Sequence, residues 1–68
     1  MMMSPKSLMA EYDISRSTVY RMKLLIQQHP ERYGRQAVIE RPKMTRISAE
    51  AFRDAFERRD EIIREVRR

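Results

Sequence analysis

The sequence predicts a mostly α-helical chain with one small β-hairpin, in the order helix, helix, hairpin, helix. Three observations predict it. Two short stretches with apolar residues at helical spacing flank the break Asp13-Ile14-Ser15. Apolar and β-branched residues cluster on both sides of Arg41-Pro42-Lys43, and a strongly charged stretch after Ser48 keeps its apolar residues to one side. All 68 residues fit one domain,.

Met1-Met2-Met3 has neither periodicity nor a cap and is expected to fray,. Ser4-Pro5 begins the first helix, near residues 5–12, with Leu8, Met9 and Tyr12 as its apolar stripe,. Asp13 tolerates the left-handed conformation and Ser15 is a preferred N-cap, so a second helix spans about 16–28 until Pro30 ends it,. Val19, Met22, Leu25 and Ile26 keep its period. Residues 31–35, including the only glycine, Gly34, read as a linker. Ala37-Val38-Ile39 and Thr45-Arg46-Ile47 form the hairpin, with Val38 and Ile47 turned to the core,. Ser48 caps the last helix, whose apolar side carries Phe52, Ala55, Phe56, Ile62, Ile63 and Val66,.

Composition narrows the function. Lys and Arg outnumber Asp and Glu by 15 to 10, a net charge of +5. Residues 1–47 hold nine of the cations and four of the acids, whereas residues 48–68 hold six of each, so the excess lies wholly in the first part. A chain this short buries only about 60% of its unfolded surface and has no room for a deep substrate cavity, which argues against an enzyme. Cysteine is absent, so disulfides and thiolate metal sites are excluded,. One His and one Gly cannot build a metal cluster, a catalytic triad or a phosphate loop,. His29, before Pro30, is expected to cap helix carbonyls. Neither a cofactor nor a small-molecule ligand is expected. No apolar run approaches the ~20 residues of a membrane helix and no secretory signal is visible, so a cytoplasmic protein is expected.

Residues 7–23, Ser-Leu-Met-Ala-Glu-Tyr-Asp-Ile-Ser-Arg-Ser-Thr-Val-Tyr-Arg-Met-Lys, resemble the helix-turn-helix of bacterial and phage DNA-binding proteins, above all in Ile14-Ser-Arg-Ser-Thr-Val-Tyr-Arg21. Leu8, Tyr12, Ile14, Val19 and Met22 have the spacing to fill the wedge between two short helices, so that the second can enter a major groove. Its outward face then presents Ser15, Arg16, Ser17, Thr18, Tyr20, Arg21 and Lys23. Hydroxyls near the helix start suit phosphate oxygens, and Arg16 and Arg21 can reach guanine edges or the backbone. Met9, where such motifs place a small residue, and Asp13, where they favour glycine, imply a slightly altered angle between the helices. The alternative is a helical hairpin whose arginines are solvated surface.

A hairpin after a recognition helix, then a capped helix, is similar to the winged helix of excisionases and of MerR-type DNA-binding heads, over residues ~7–58. The resemblance implies that the hairpin is a wing that reaches the neighbouring minor groove or its phosphates, with Arg41, Lys43 and Arg46 around the turn and Arg35 at its entrance,. A hairpin of purely structural role is the competing reading. The resemblance further implies a bacterial or phage-encoded, nucleoid-associated protein that binds repeated sites on double-stranded DNA, bends it, and assists a tyrosine recombinase.

In the last helix Phe52, Ala55, Arg59, Ile62 and Val66 follow a/d spacing,. Ile62, Ile63 and Val66 lie beyond the reach of so small a core and are expected to contact a partner, either a second copy on an adjacent site or the recombinase. Alternatively they fold back on Leu24 and Leu25. The resulting expectation is sequence-specific DNA binding as an excisionase-like architectural factor. A small phage or plasmid repressor would use the same face, and an antitoxin-like or adaptor protein would dock its last helix on a protein instead.

Overall fold

The computed structural model describes the backbone of residues 1–66 and the side chains of residues 1–59. Ile62, Ile63 and Val66 therefore lie outside the described side chains. The described chain is mostly helical, with four helices and a three-stranded antiparallel sheet. Its elements are β1 (Met2–Met3), α1 (Pro5–Tyr12), α2 (Arg16–Gln27), α3 (Pro30–Tyr33), β2 (Val38–Arg41), β3 (Met44–Ser48) and α4 (Ala49–Val66). None of these helices is long and apolar enough to cross a membrane.

Local chemistry sets the helix starts. Ser4, Ser15 and Ser48 each accept the backbone amide three residues ahead, from Ser7 at 3.1 Å, Thr18 at 3.3 Å and Ala51 at 3.2 Å. Such caps stabilise a helix by about 1 kcal/mol each. Asp13 stops α1 in the left-handed conformation, φ 52°, as expected of a short polar side chain there,. Pro30 both ends α2 and occupies the first turn of α3, where its missing N–H costs nothing,. That short helix is an addition to the expected linker, and Gly34 closes it at φ 85°.

Met1-Met2-Met3 does not fray. Met2 pairs with Ser48 and Met3 with Ile47, which makes β3 the central strand in the order β1-β3-β2. On the side of β3 away from β2, β1 covers the backbone donors and acceptors at Ile47 and Ser48,. The Ala49 amide extends the contact to the Met1 carbonyl at 2.8 Å, and the chain's amino group sits 2.9 Å from Glu50. This amino group, aided by the Ser48 hydroxyl, holds the Glu50 carboxyl down at about 2.

The core lies between α1, α2, α4 and the sheet. Leu8, Val19, Ile26, Ile47 and Phe52 are its largest fully buried side chains. Tyr12 meets the rings of Phe52 and Phe56 at 5.0 and 5.1 Å between centroids, so α4 faces the α1–α2 pair through Phe52, Ala55 and Phe56. Each large side chain buried here contributes roughly 1.5–3 kcal/mol. Ile47 and Val38 pack on the core as their alternation requires.

His29 departs from its expected role. Its Nδ1 lies 3.2 Å from the Glu31 carboxylate rather than on a helix carbonyl, and its Nε2 is buried without a hydrogen-bond partner among the described residues. The α2 carbonyls it was expected to reach are satisfied by backbone, with Gln28 N–H donating to Leu24 and His29 N–H to Ile26.

Candidate nucleic-acid interface

Two helices begin at the same place on the surface. Ser4, Pro5 and Lys6 of the α1 start, Arg16 and Tyr20 of α2, and residues 41–46 of the hairpin line one open cleft of about 570 Å³. Lys6, Arg16, Arg41, Lys43 and Arg46 converge on it, and no carboxylate is among its lining residues. Four of these five were expected from sequence as DNA contacts; Lys6 was not.

The cations sit where helices disfavour them. Lys6 and Arg16 occupy the first turns of α1 and α2, beside the positive end of each helix dipole, and neither first turn contains an acid. A like charge there costs roughly 0.3–1 kcal/mol at an exposed position, so the arrangement is best matched by an anion from outside. That clash with local preference is the signal by which Lys6 could have been found.

The hydroxyls of the α2 start form their own cluster. The Ser15 hydroxyl lies 3.2 Å from that of Ser17 and 3.0 Å from that of Thr18, while it also caps the helix. Ser15 and Ser17 are exposed and Thr18 is half-buried. Tyr20 is half-buried too, with the Arg16 guanidinium 5.4 Å from its ring centroid, an attraction that holds the arginine along the cleft wall,.

Lys23 is not on the outward face. It is buried, 7% exposed, and its ammonium donates to the Glu40 carboxylate of β2. Residues 16, 20 and 23 run down one side of α2, and at Lys23 that side faces the sheet rather than solvent. The bond from Lys23 is the main reason that the Glu40 carboxyl lies below its ordinary range. Lys23 thus ties the helix to the hairpin and offers no charge to a ligand.

The hairpin turns in two residues, Pro42 and Lys43, between the paired Arg41 and Met44. Arg41 and Lys43 are exposed, whereas Arg46 is half-buried and donates to the Thr45 carbonyl at 2.9 Å. Arg35 is separate from this cluster. It borders Gly34 and Val38 at the opposite end of β2 and does not line the cleft. Arg21 is exposed on the other flank of α2 and does not line it either.

Among the described residues, no group of three or more His, Cys, Asp or Glu could hold a metal ion. No family model, curated protein or solved structure matches this chain.

Proposed function

We propose that this protein binds double-stranded DNA in a sequence-specific manner, as a winged-helix module of excisionase-like, architectural character. In this reading α2 lies in the major groove, Arg16, Ser17, Tyr20 and Arg21 meet base edges or nearby phosphates, and the β2–β3 hairpin is a wing on the flanking backbone. The observation that carries it is the carboxylate-free cleft in which Lys6 and Arg16 of two helix starts meet Arg41, Lys43 and Arg46 of the hairpin. A bare basic patch would attract any polyanion. A basic cleft beside a protruding helix also has the shape to follow one phosphate strand while the helix reads the groove.

The test is DNA affinity measured over a salt series, on duplexes enriched from a random pool and on unselected competitor. Affinity that falls steeply with salt yet favours the enriched sequence is the expected result. No retention on DNA at low salt would falsify the proposal and favour a protein-docking role. A footprint on DNA flanking the gene assigns the biological role, because repeated sites at an element boundary fit an excision factor acting with a tyrosine recombinase, whereas protection confined to a promoter fits a repressor.

A further inference from the structure

A helix in the major groove has a phosphate strand on each side, since the groove is about 12 Å wide and a helix with its side chains about 10–12 Å across. One flank of α2 faces the cleft described above. The opposite flank borders a second open cleft, of about 520 Å³, which shares no lining residue with the first. Thr18 and Arg21, with the apolar Met22, Leu24 and Leu25, line it from α2, and Arg59 enters from α4. Two cations from two helices therefore converge on the side that the hairpin cannot reach.

Arg59 is held in place there. Its Nη1 donates to the Phe56 carbonyl at 2.7 Å, and its guanidinium lies 4.5 Å from the centroid of the Phe56 ring. Phe56 in turn packs on Tyr12 of α1, so this cation is tied to the same core that orients α2. Its neighbour Arg58 turns elsewhere, to Asp54 at 2.9 Å.

Resting on the DNA-binding reading above, we infer that Arg59 is a phosphate-binding residue which, with Arg21, grips the DNA strand opposite the one held by the hairpin. The last helix is then part of the DNA interface as well as a core element. Both sides of α2 carry charge from an element other than α2 itself, and this fixes how deeply and at what tilt the helix sits. An acidic, apolar protein segment is the competing occupant, because Leu24 on the rim is 53% exposed.

The experiment uses the full chain and a duplex enriched from a random pool, with affinity measured over a salt series for wild type, Arg59→Gln, Arg59→Lys, Arg58→Gln and the hairpin variant Arg41→Ala/Lys43→Ala. Arg59→Gln should bind several-fold more weakly and lower the salt slope by about 0.9, one phosphate contact, while Arg59→Lys and Arg58→Gln keep the wild-type slope. Arg59→Gln with a wild-type slope, beside a hairpin variant whose slope falls, would overturn this inference and leave DNA binding standing. Equal losses in Arg58→Gln and Arg59→Gln would reduce the effect to bulk charge and overturn it as well. A pool from which the wild type enriches no duplex overturns both readings together. Ethylation of phosphates on DNA bound by wild type provides a check that no variant's folding can disturb: interference on both strands across one major groove is expected, and interference on the hairpin side alone contradicts the inference.

Discussion

Lys23 of α2 is buried and bonded to Glu40 of β2, seventeen residues away, so the helix that faces the proposed DNA groove and the hairpin beside it are joined by one ion pair. Half of the Glu40 side chain remains in solvent, whereas the Lys23 side chain is 9% exposed. The two partners therefore differ in what their removal costs. Glu40→Gln leaves the buried Lys23 ammonium without a counter-charge and should destabilise the fold,. Lys23→Met keeps the packing volume, leaves a carboxylate that water can reach, and should cost clearly less. Urea unfolding of both variants and of the double variant checks this; a larger loss for Lys23→Met would show that packing of the Lys23 stem outweighs the charge.

The same pair sets an acid limit. Glu40 and Glu50 both titrate below the ordinary carboxylate range of 4.5 because the fold bonds their charged forms. A depressed folded value contributes stability that is present above 4.5 and is lost as pH falls toward the folded values, about 2 for Glu50,. The melting temperature should decline as pH is lowered from about 5 to 3, and Glu40→Gln should flatten part of that decline. A flat profile in the wild type would mean that neither bond persists in solution.

Tyr33 acts at the alkaline end. Burial, aided by its hydrogen bond to Asp54 at 3.0 Å, pushes its phenol up to about 12. The fold then holds the proton more tightly than the unfolded chain, so this contribution is complete below 10 and is lost as pH rises toward 12,. Burial raises the Tyr12 phenol as well, so an alkaline ultraviolet titration should show two of the three tyrosines ionising late with Tyr33 the last, and Tyr33→Phe should remove that last phase.

Arg16→Ala or Arg21→Ala should weaken binding to an enriched duplex by roughly 1–3 kcal/mol where the residue reads a base, with thermal unfolding almost unchanged because both side chains are exposed,. Equal weakening on unselected DNA assigns that arginine to phosphate. If neither duplex loses affinity, α2 is not the reading element.

Replacing Arg41 and Lys43 by Ala should lower the salt slope by about 0.9 per phosphate contact and reduce affinity on all sequences alike. Arg46 is better left in place, since it is half-buried and bonded to the Thr45 carbonyl, and its loss would mix stability with binding. An unchanged slope would make the hairpin a structural element only.

What could be read from the sequence was what neighbours along the chain decide. Ser4, Ser15 and Ser48 cap helices with donors three residues away, and Asp13 turns left by its own preference, so the bounds of α1 and the start of α2 follow from short words of sequence. Phe52 and Ala55 share a face with the period of one helix. Pairing across the chain left no such trace. Met2 and Met3 meet residues more than forty positions away, and two residues cannot display a strand's alternation. Lys23 has the helical position of an outward residue until Glu40 provides the partner that lets it be buried. Lys6 was legible in principle, as a cation at the wrong end of a helix, but its meaning depends on a hairpin that folds up beside it.

Pro42 and Lys43 both have negative φ, since Asp13 and Gly34 are the only positive-φ positions among the described residues. The usual two-residue hairpin turn needs positive φ, and with it Asn-Gly or a similar small pair, which puts no cation at the apex. Here the turn gives up the matching twist and in exchange can seat a lysine at the outermost point of the loop. Proline also restricts the apex before any ligand arrives, so less chain entropy is left to lose on contact. The side chain at Lys43 can thus change without refolding the turn, and in the proposed DNA-binding role single substitutions there would adjust the hairpin to different phosphate spacings.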